Sequence, residues 1–115
     1  MLALLLLTVI SWAVPTKHSQ PRWAYQERRG IVCSPLAAEL NSSPGLELVV
    51  LGRGGEITCL GADGALLWRV SGQGEFNSEP AILDLNGDGH LEIVAADREG
   101  QVTCLTGAGK LLWQR

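Results

Sequence analysis

"PLAAELNSSPGLELVVLGRGGEITCLGADGALLWRV" (residues 35–70) lies over "PAILDLNGDGHLEIVAADREGQVTCLTGAGKLLWQR" (residues 80–115) at an offset of 45, without a gap. Fifteen of the 36 positions are identical, including Pro35/Pro80, Asn41/Asn86, Glu47/Glu92, Arg53/Arg98 and the blocks "TCL" and "LLW". Ungapped identity at that level is not a chance match. The chain is therefore built from repeats, and a repeat bounds the fold before any single motif does. The register extends backwards, because Trp113, Trp68 and Trp23 stand 45 residues apart. "PRWAYQ" accordingly reads as the tail of an earlier unit.

Within the second unit, residues 80–85, 91–95, 101–105 and 111–114 predict four short strands. Leu91, Ile93 and Ala95 alternate and are expected to face one way. The connections "NGDGH", "DREG" and "TGAGK" carry the glycines that tight turns require. No 3.6-residue apolar period survives across them, which argues against helices. Four antiparallel strands in about 45 residues match one blade of a β-propeller. The expected fold class is therefore all-β, with blade 1 at residues 33–70, a connection at 71–79 and blade 2 at 80–115. Residues 14–32 form a leader with an orphan outer strand at "RWAYQ". Trp23, Trp68 and Trp113 are expected to pack between blades. Closed propellers use four to eight blades, so the ring is incomplete. The remaining blades are expected to be absent from this chain or supplied by self-association.

Apolar residues make up 46% of the chain and charged residues 18%, a balance that fits a packed domain rather than a disordered one. The net charge of −3 and the lack of a basic stripe exclude nucleic acid as an expected partner. Residues 1–13 read as a signal peptide. Their apolar stretch is too short to span a bilayer, and small residues stand at the −3 and −1 positions of a cut before Val14. The expected location is secreted or cell surface. Cys33, Cys59 and Cys104 are an odd number without metal-ligand spacing, and Cys59 and Cys104 repeat one third-strand position. A blade spacing separates such positions too widely for a disulfide, so buried free thiols are expected.

The chemistry concentrates in "DLNGDGHLE" (residues 84–92). Asp84, Asn86 and Asp88 offer side-chain oxygens at alternate positions. His90 offers its backbone carbonyl, and Glu92 closes the ring. Gly87 and Gly89 let the chain curl. Ca²⁺ takes six to eight oxygens at about 2.3–2.6 Å, which suits this set. An EF-hand is rejected, because its twelfth position would be Ala95 and its flanks are strands. The His90 imidazole is expected to point outward. The competing reading is a bare "NGDG" hairpin turn with solvated acids. In the sister loop the aligned residues are Glu39, Asn41, Ser43, Pro44, Gly45 and Glu47, so charge is lost and weak or no binding is expected. "NSS" at Asn41 is a glycosylation sequon. Glu75, Glu79, Asp97 and Glu99 read as ordinary surface acids. No serine–histidine–aspartate set is visible in the sequence.

"DLNGDGHLEIVAAD" with its upstream proline resembles the calcium loop of FG-GAP/VCBS-type repeats, the blades of integrin alpha-chain propellers and many bacterial secreted proteins. "GQVTCLTGAGKLLW" is similar to the blade ending shared by FG-GAP-like and quinoprotein-like propellers. The resemblance covers about residues 35–115. It implies calcium ligation by Asp84, Asn86, Asp88, the His90 carbonyl and Glu92. It further implies a calcium-stabilised module that binds a protein or glycan ligand. The alternatives are part of an extracellular enzyme, such as a polysaccharide lyase or quinoprotein, and a truncated gene fragment with no independent function. A fold alone does not choose among these.

Overall fold

A computed structural model of the chain describes residues 21–71 and 73–115. The expected signal peptide at residues 1–13 lies outside the described residues. Within them, eight strands form two separate four-stranded antiparallel sheets, in the orders β1-β2-β3-β4 and β5-β6-β7-β8. The first sheet comprises β1 (Leu36–Ala38), β2 (Glu47–Leu51), β3 (Ile57–Leu60) and β4 (Leu66–Val70). The second comprises β5 (Ala81–Leu83), β6 (Glu92–Ala96), β7 (Val102–Thr106) and β8 (Leu111–Gln114). Each sheet is a simple meander, the form expected for one blade.

The 45-residue register of the sequence is also the register of the sheets. Trp68 faces Cys59 across β3–β4, and Trp113 faces Cys104 across β7–β8. Both pairings slip one position later, between Cys59 and Leu60 and between Cys104 and Leu105. A bulge that recurs at the same place adds the same local twist to both blades. The strand starts and ends fall within a few residues of expectation. The first strand is shorter than residues 80–85, because Asp84 and Leu85 already belong to the loop.

Blade 1 turns the apolar face of Val49, Leu51 and Ile57 towards blade 2, which meets it with Ile93, Ala95 and Leu105. Phe76, from the connection between blades, completes this core at 2% exposure. Burying such side chains contributes roughly 1.5–3 kcal/mol each. Neither sheet could bury these faces alone, which explains why the repeats come stacked. Ile93 and Ala95 share the core face as expected, with Leu91 half-buried beside them.

Trp68 locks the stack. Its indole Nε1–H donates to Gly107 O at 2.9 Å, and a Cβ on Gly109 would stand 2.5 Å from its ring. Only glycine admits the indole there. Trp23 repeats the contact one blade earlier, donating to Ala62 O at 3.1 Å with its ring against Gly64. Of the three tryptophans expected between blades, Trp68 takes that place, and Trp23 makes the same contact from the leader onto blade 1. The expected strand at "RWAYQ" does not form. Its tryptophan holds the position of an outer-strand residue, but among the described residues no strand pairs with its backbone.

The leader and the connection between blades are also equivalent. Ile31 bridges Gly52 as Phe76 bridges Asp97. Arg53 N donates to Gly30 O as Arg98 N donates to Glu75 O, both at 2.9 Å. Cys33, Cys59 and Cys104 are all free, and the latter two are fully buried. Burial raises the Cys59 thiol to about 11, with the nearby Glu47 carboxylate adding to the shift. Cys104 is raised by burial and then by Glu92.

Candidate metal centre

The β5–β6 loop is organised by Asp84. Its Oδ1 accepts Gly87 N at 2.8 Å and Asp88 N at 3.1 Å, and its Oδ2 accepts Gly89 N at 2.8 Å. Asn86 Oδ1 accepts Asp88 N at 3.1 Å, and Asp88 Oδ1 accepts His90 N at 2.8 Å. Short polar side chains capture the backbone of their own loop in this way because no sheet partner is available there. Gly87 and Gly89 have φ of 78° and 87°, in the left-handed region that side chains disfavour. The expected curl is present at both positions.

Glu92, at the start of β6, lies beneath the loop. It is 3% exposed, and its Oε2 accepts Leu85 N at 2.7 Å. One carboxylate oxygen each from Asp84, Asp88 and Glu92 lies within 4.8 Å of the others. Oxygens that share one Ca²⁺ stand at most about 5 Å apart, twice the metal–oxygen distance, so this spacing suits a common cation. Without one, each carboxylate pair repels by roughly 1 kcal/mol in water, and by more at the buried member. The structure thus brings Asp84, Asp88 and Glu92 together and places Asn86 and His90 on the same loop. His90 is exposed, as expected.

The β1–β2 loop of blade 1 keeps the lower half of this arrangement. Glu47 is 2% exposed, and its Oε2 accepts Leu40 N at 2.7 Å and Asn41 N at 3.3 Å. Asn41 Oδ1 accepts Ser43 N at 2.6 Å. Pro44 replaces the second curling glycine, and the only positive φ in this loop is at Gly45, 90°. A buried glutamate that closes the loop through the backbone was not foreseen. Its signal was present in the identity Glu47/Glu92, kept beside a loop in which Asp88 gives way to Ser43.

The opposite end of the blades holds a second unforeseen acid. Asp97 was expected at the surface but is 8% exposed. Its Oδ1 accepts Glu99 N at 3.0 Å and Gln101 N at 2.9 Å, and its Oδ2 accepts Gly74 N at 3.2 Å. It is a structural acid that shapes the β6–β7 turn and ties the inter-blade connection to it. The "DREGQ" spacing was a legible sign, since an aspartate before a glycine turn commonly accepts from the backbone two residues on. Glu75, Glu79 and Glu99 are exposed as expected.

Two meandering sheets stacked through a tryptophan repeated once per unit are adjacent propeller blades. A family model of the lambda-carrageenase β-propeller domain matches residues 48–115, more than half of the chain. The chain belongs to that family. The match runs from the second residue of β2 through β3 and β4 and takes in all of blade 2, including the Asp84–Glu92 loop. No curated protein matches the chain.

Proposed function

We propose that this chain is a calcium-stabilised β-propeller module of a secreted, polysaccharide-handling protein. The observation that carries the metal assignment is the convergence of Asp84, Asp88 and Glu92 within 4.8 Å on a loop curled at two glycines. Asp84, Asn86 and Asp88 supply side-chain oxygens, the His90 carbonyl a fourth ligand, and Glu92 the closing carboxylate. The donor set is all oxygen, which favours a hard cation such as Ca²⁺ over zinc or copper. The ion neutralises the three carboxylates and pins the β5–β6 turn. Its role is structural, because the same loop is already closed from below by Glu92. The FG-GAP/VCBS-type character of the loop belongs to this reading.

The family name supports the polysaccharide setting. A carrageenase acts on a polysaccharide, and a propeller in such a protein presents loops at the ends of its blades to a long chain. Binding of a glycan by the module is the leading role, and binding of a protein ligand is the alternative. The metal assignment is tested by calorimetric calcium titration of the wild type and of Asp88→Ala. Wild-type binding with one site, weakened at least about tenfold in the variant, is expected. Equal weak binding in both sinks it. Affinity electrophoresis in gels containing a sulfated or a neutral galactan tests the glycan role. Unchanged migration in both removes that role and leaves the protein ligand.

A further inference from the structure

The β1–β2 and β5–β6 loops border a cleft that recurs in both blades. In blade 2 it measures about 290 Å³ and lies between the loop residues Asn86 and Asp88, the buried Glu92 and the outer-strand Leu112. In blade 1 it measures about 390 Å³ and lies between their equivalents Asn41, Ser43, Glu47 and Leu67. A third cavity of about 200 Å³ occupies the seam between the two loops, with Glu39 and Ser42 on one side and His90 on the other. It shares Asn41 with the blade 1 cleft, and Leu40, His90 and Leu91 with the blade 2 cleft. The three therefore join into one groove across the loop ends of both blades. Blade 2 is flanked by a blade on one face and blade 1 on the opposite face. The cleft is open in both, so blade stacking does not fill it.

The groove has a polar floor and an apolar wall. Glu47 is 2% exposed, and its Oε2 is held by Leu40 N and Asn41 N. Its Oε1 accepts no hydrogen bond among the described residues, and the side chain lines the cleft. A buried carboxylate oxygen in that state gains from any donor that enters. Asn41 gives its Oδ1 to Ser43 N at 2.6 Å, which leaves its amide N–H groups free to donate outward. Leu67 and Leu112 are 45% and 47% exposed, and both blades carry this leucine at the same position. Such side chains are stabilised when an apolar surface covers them. A sugar ring offers both complements, hydroxyls at its edge and C–H groups on its faces.

Charge selects among sugars. Glu39, Glu47, Asp63, Asp88 and Glu92 line the groove, and no lysine or arginine does. Calcium held by Asp88 and Glu92 would leave the other three acids uncompensated. A sulfate or carboxylate on the ligand would be repelled by them. A neutral hydroxyl instead donates to an ionised carboxylate in a charge-assisted hydrogen bond. We propose that this groove binds a linear, uncharged glycan, with a sugar ring against each leucine and the chain crossing the seam past His90. This rests on the glycan-binding role and adds to it the place and the charge class of the ligand.

The test is affinity electrophoresis in gels containing a neutral galactan, a neutral glucan or a sulfated galactan, with far-UV circular dichroism confirming the strand content of each variant. Wild type is expected to be retarded most in a neutral gel. Leu67→Ala and Leu112→Ala are each expected to weaken that apparent affinity at least about fivefold. Leu66→Ala, on the same strand as Leu67 but outside the groove, leaves it unchanged. Retardation in the sulfated gel that equals or exceeds the neutral gels overturns the proposal and leaves the glycan-binding role standing. No retardation in any gel overturns both. Retardation in a neutral gel that survives either groove variant, or that Leu66→Ala weakens equally, puts the glycan elsewhere and overturns the proposal. Should one groove variant not fold, the other carries the comparison.

Discussion

Glu47 accepts Leu40 N at 2.7 Å, and Glu92 accepts Leu85 N at the same distance. Above these two buried carboxylates the loops diverge. Blade 2 adds Asp84 and Asp88, whereas blade 1 carries Glu39 and Ser43 in their places. The comparison separates two properties that one motif would otherwise merge. Closing the loop between the first two strands needs only the glutamate. Gathering charge above it is an addition found in one blade of two. A blade can therefore keep its form without the acids proposed to hold calcium, provided the glutamate remains.

The sharpest way to break that separation is to remove the glutamates themselves. Glu47→Ala and Glu92→Ala each leave a partly buried backbone N–H without its acceptor and open a cavity where a buried side chain stood, and each is expected to cost about 2 kcal/mol in chemical denaturation. In the absence of calcium Glu92→Ala should lose somewhat less, because it also relieves the repulsion from Asp84 and Asp88. With calcium present, Glu92→Ala should lose more, because it also removes a proposed ligand. Glu92→Gln keeps an acceptor for Leu85 N while removing the charge. It should retain most of the metal-free stability but bind calcium more weakly. If Glu92→Gln is as unstable as Glu92→Ala without the ion, the closing contact depends on charge and the division into two roles fails.

The same glutamates lie near the two repeated thiols, and here the blades can be compared by pH. Burial, then Glu47, raises Cys59 to about 11 from an ordinary value of 9.0. A raised thiol favours the neutral form in the folded state. Its contribution is complete below about pH 9 and is lost as pH rises to about 11, because the unfolded chain releases its proton first. A shift of this size corresponds to a loss on the order of 2 kcal/mol across that window. Cys59→Ala should flatten the decline in stability measured by urea titration between those pH values. A decline as steep in the variant as in wild type would assign it to other groups. Cys104 is shifted in the same direction by burial and then by Glu92, so Cys104→Ala should flatten the same region.

Much of this was legible because a repeat tests itself. The identities at Pro35/Pro80 and Trp68/Trp113 located the blades, and the glycines located the turns. The spacing of Trp23 located a second contact of the same kind, made by the leader. The misreadings have one physical origin: alternation assigns every second strand residue to solvent only when one face of the sheet is wet. Glu47 lies on the face of blade 1 that blade 2 covers, and Glu92 lies beneath its own loop, so both fall inside, where backbone N–H groups receive them. Asp97 escaped for a related reason, since a turn at the end of a blade looks like free surface until the connection to the next blade folds over it. "RWAYQ" kept its tryptophan contact but not its strand. Stacking needs only the indole and the glycine beneath it, whereas a strand needs a neighbour to share its backbone hydrogen bonds.

The smallest expected effect probes the curl that distinguishes the backbones of the β1–β2 and β5–β6 loops. Gly87 has φ of 78°, and no atom lies within 4 Å of where its Cβ would stand. Substitution there meets no steric obstacle beyond the backbone itself. Gly87→Ala should therefore cost about 1 kcal/mol, the ordinary penalty for an L-residue in the left-handed region. Gly87→Asn should cost less, because asparagine tolerates that region better. The aligned residue in blade 1 is Ser42, which has no positive φ, so Ser42→Ala should be neutral in thermal denaturation. If Gly87→Ala were also neutral, the loop would reach its hydrogen bonds without the left-handed residue. The contrast between the loops would then rest on charge alone, with Asp88 against Ser43 as its deciding pair.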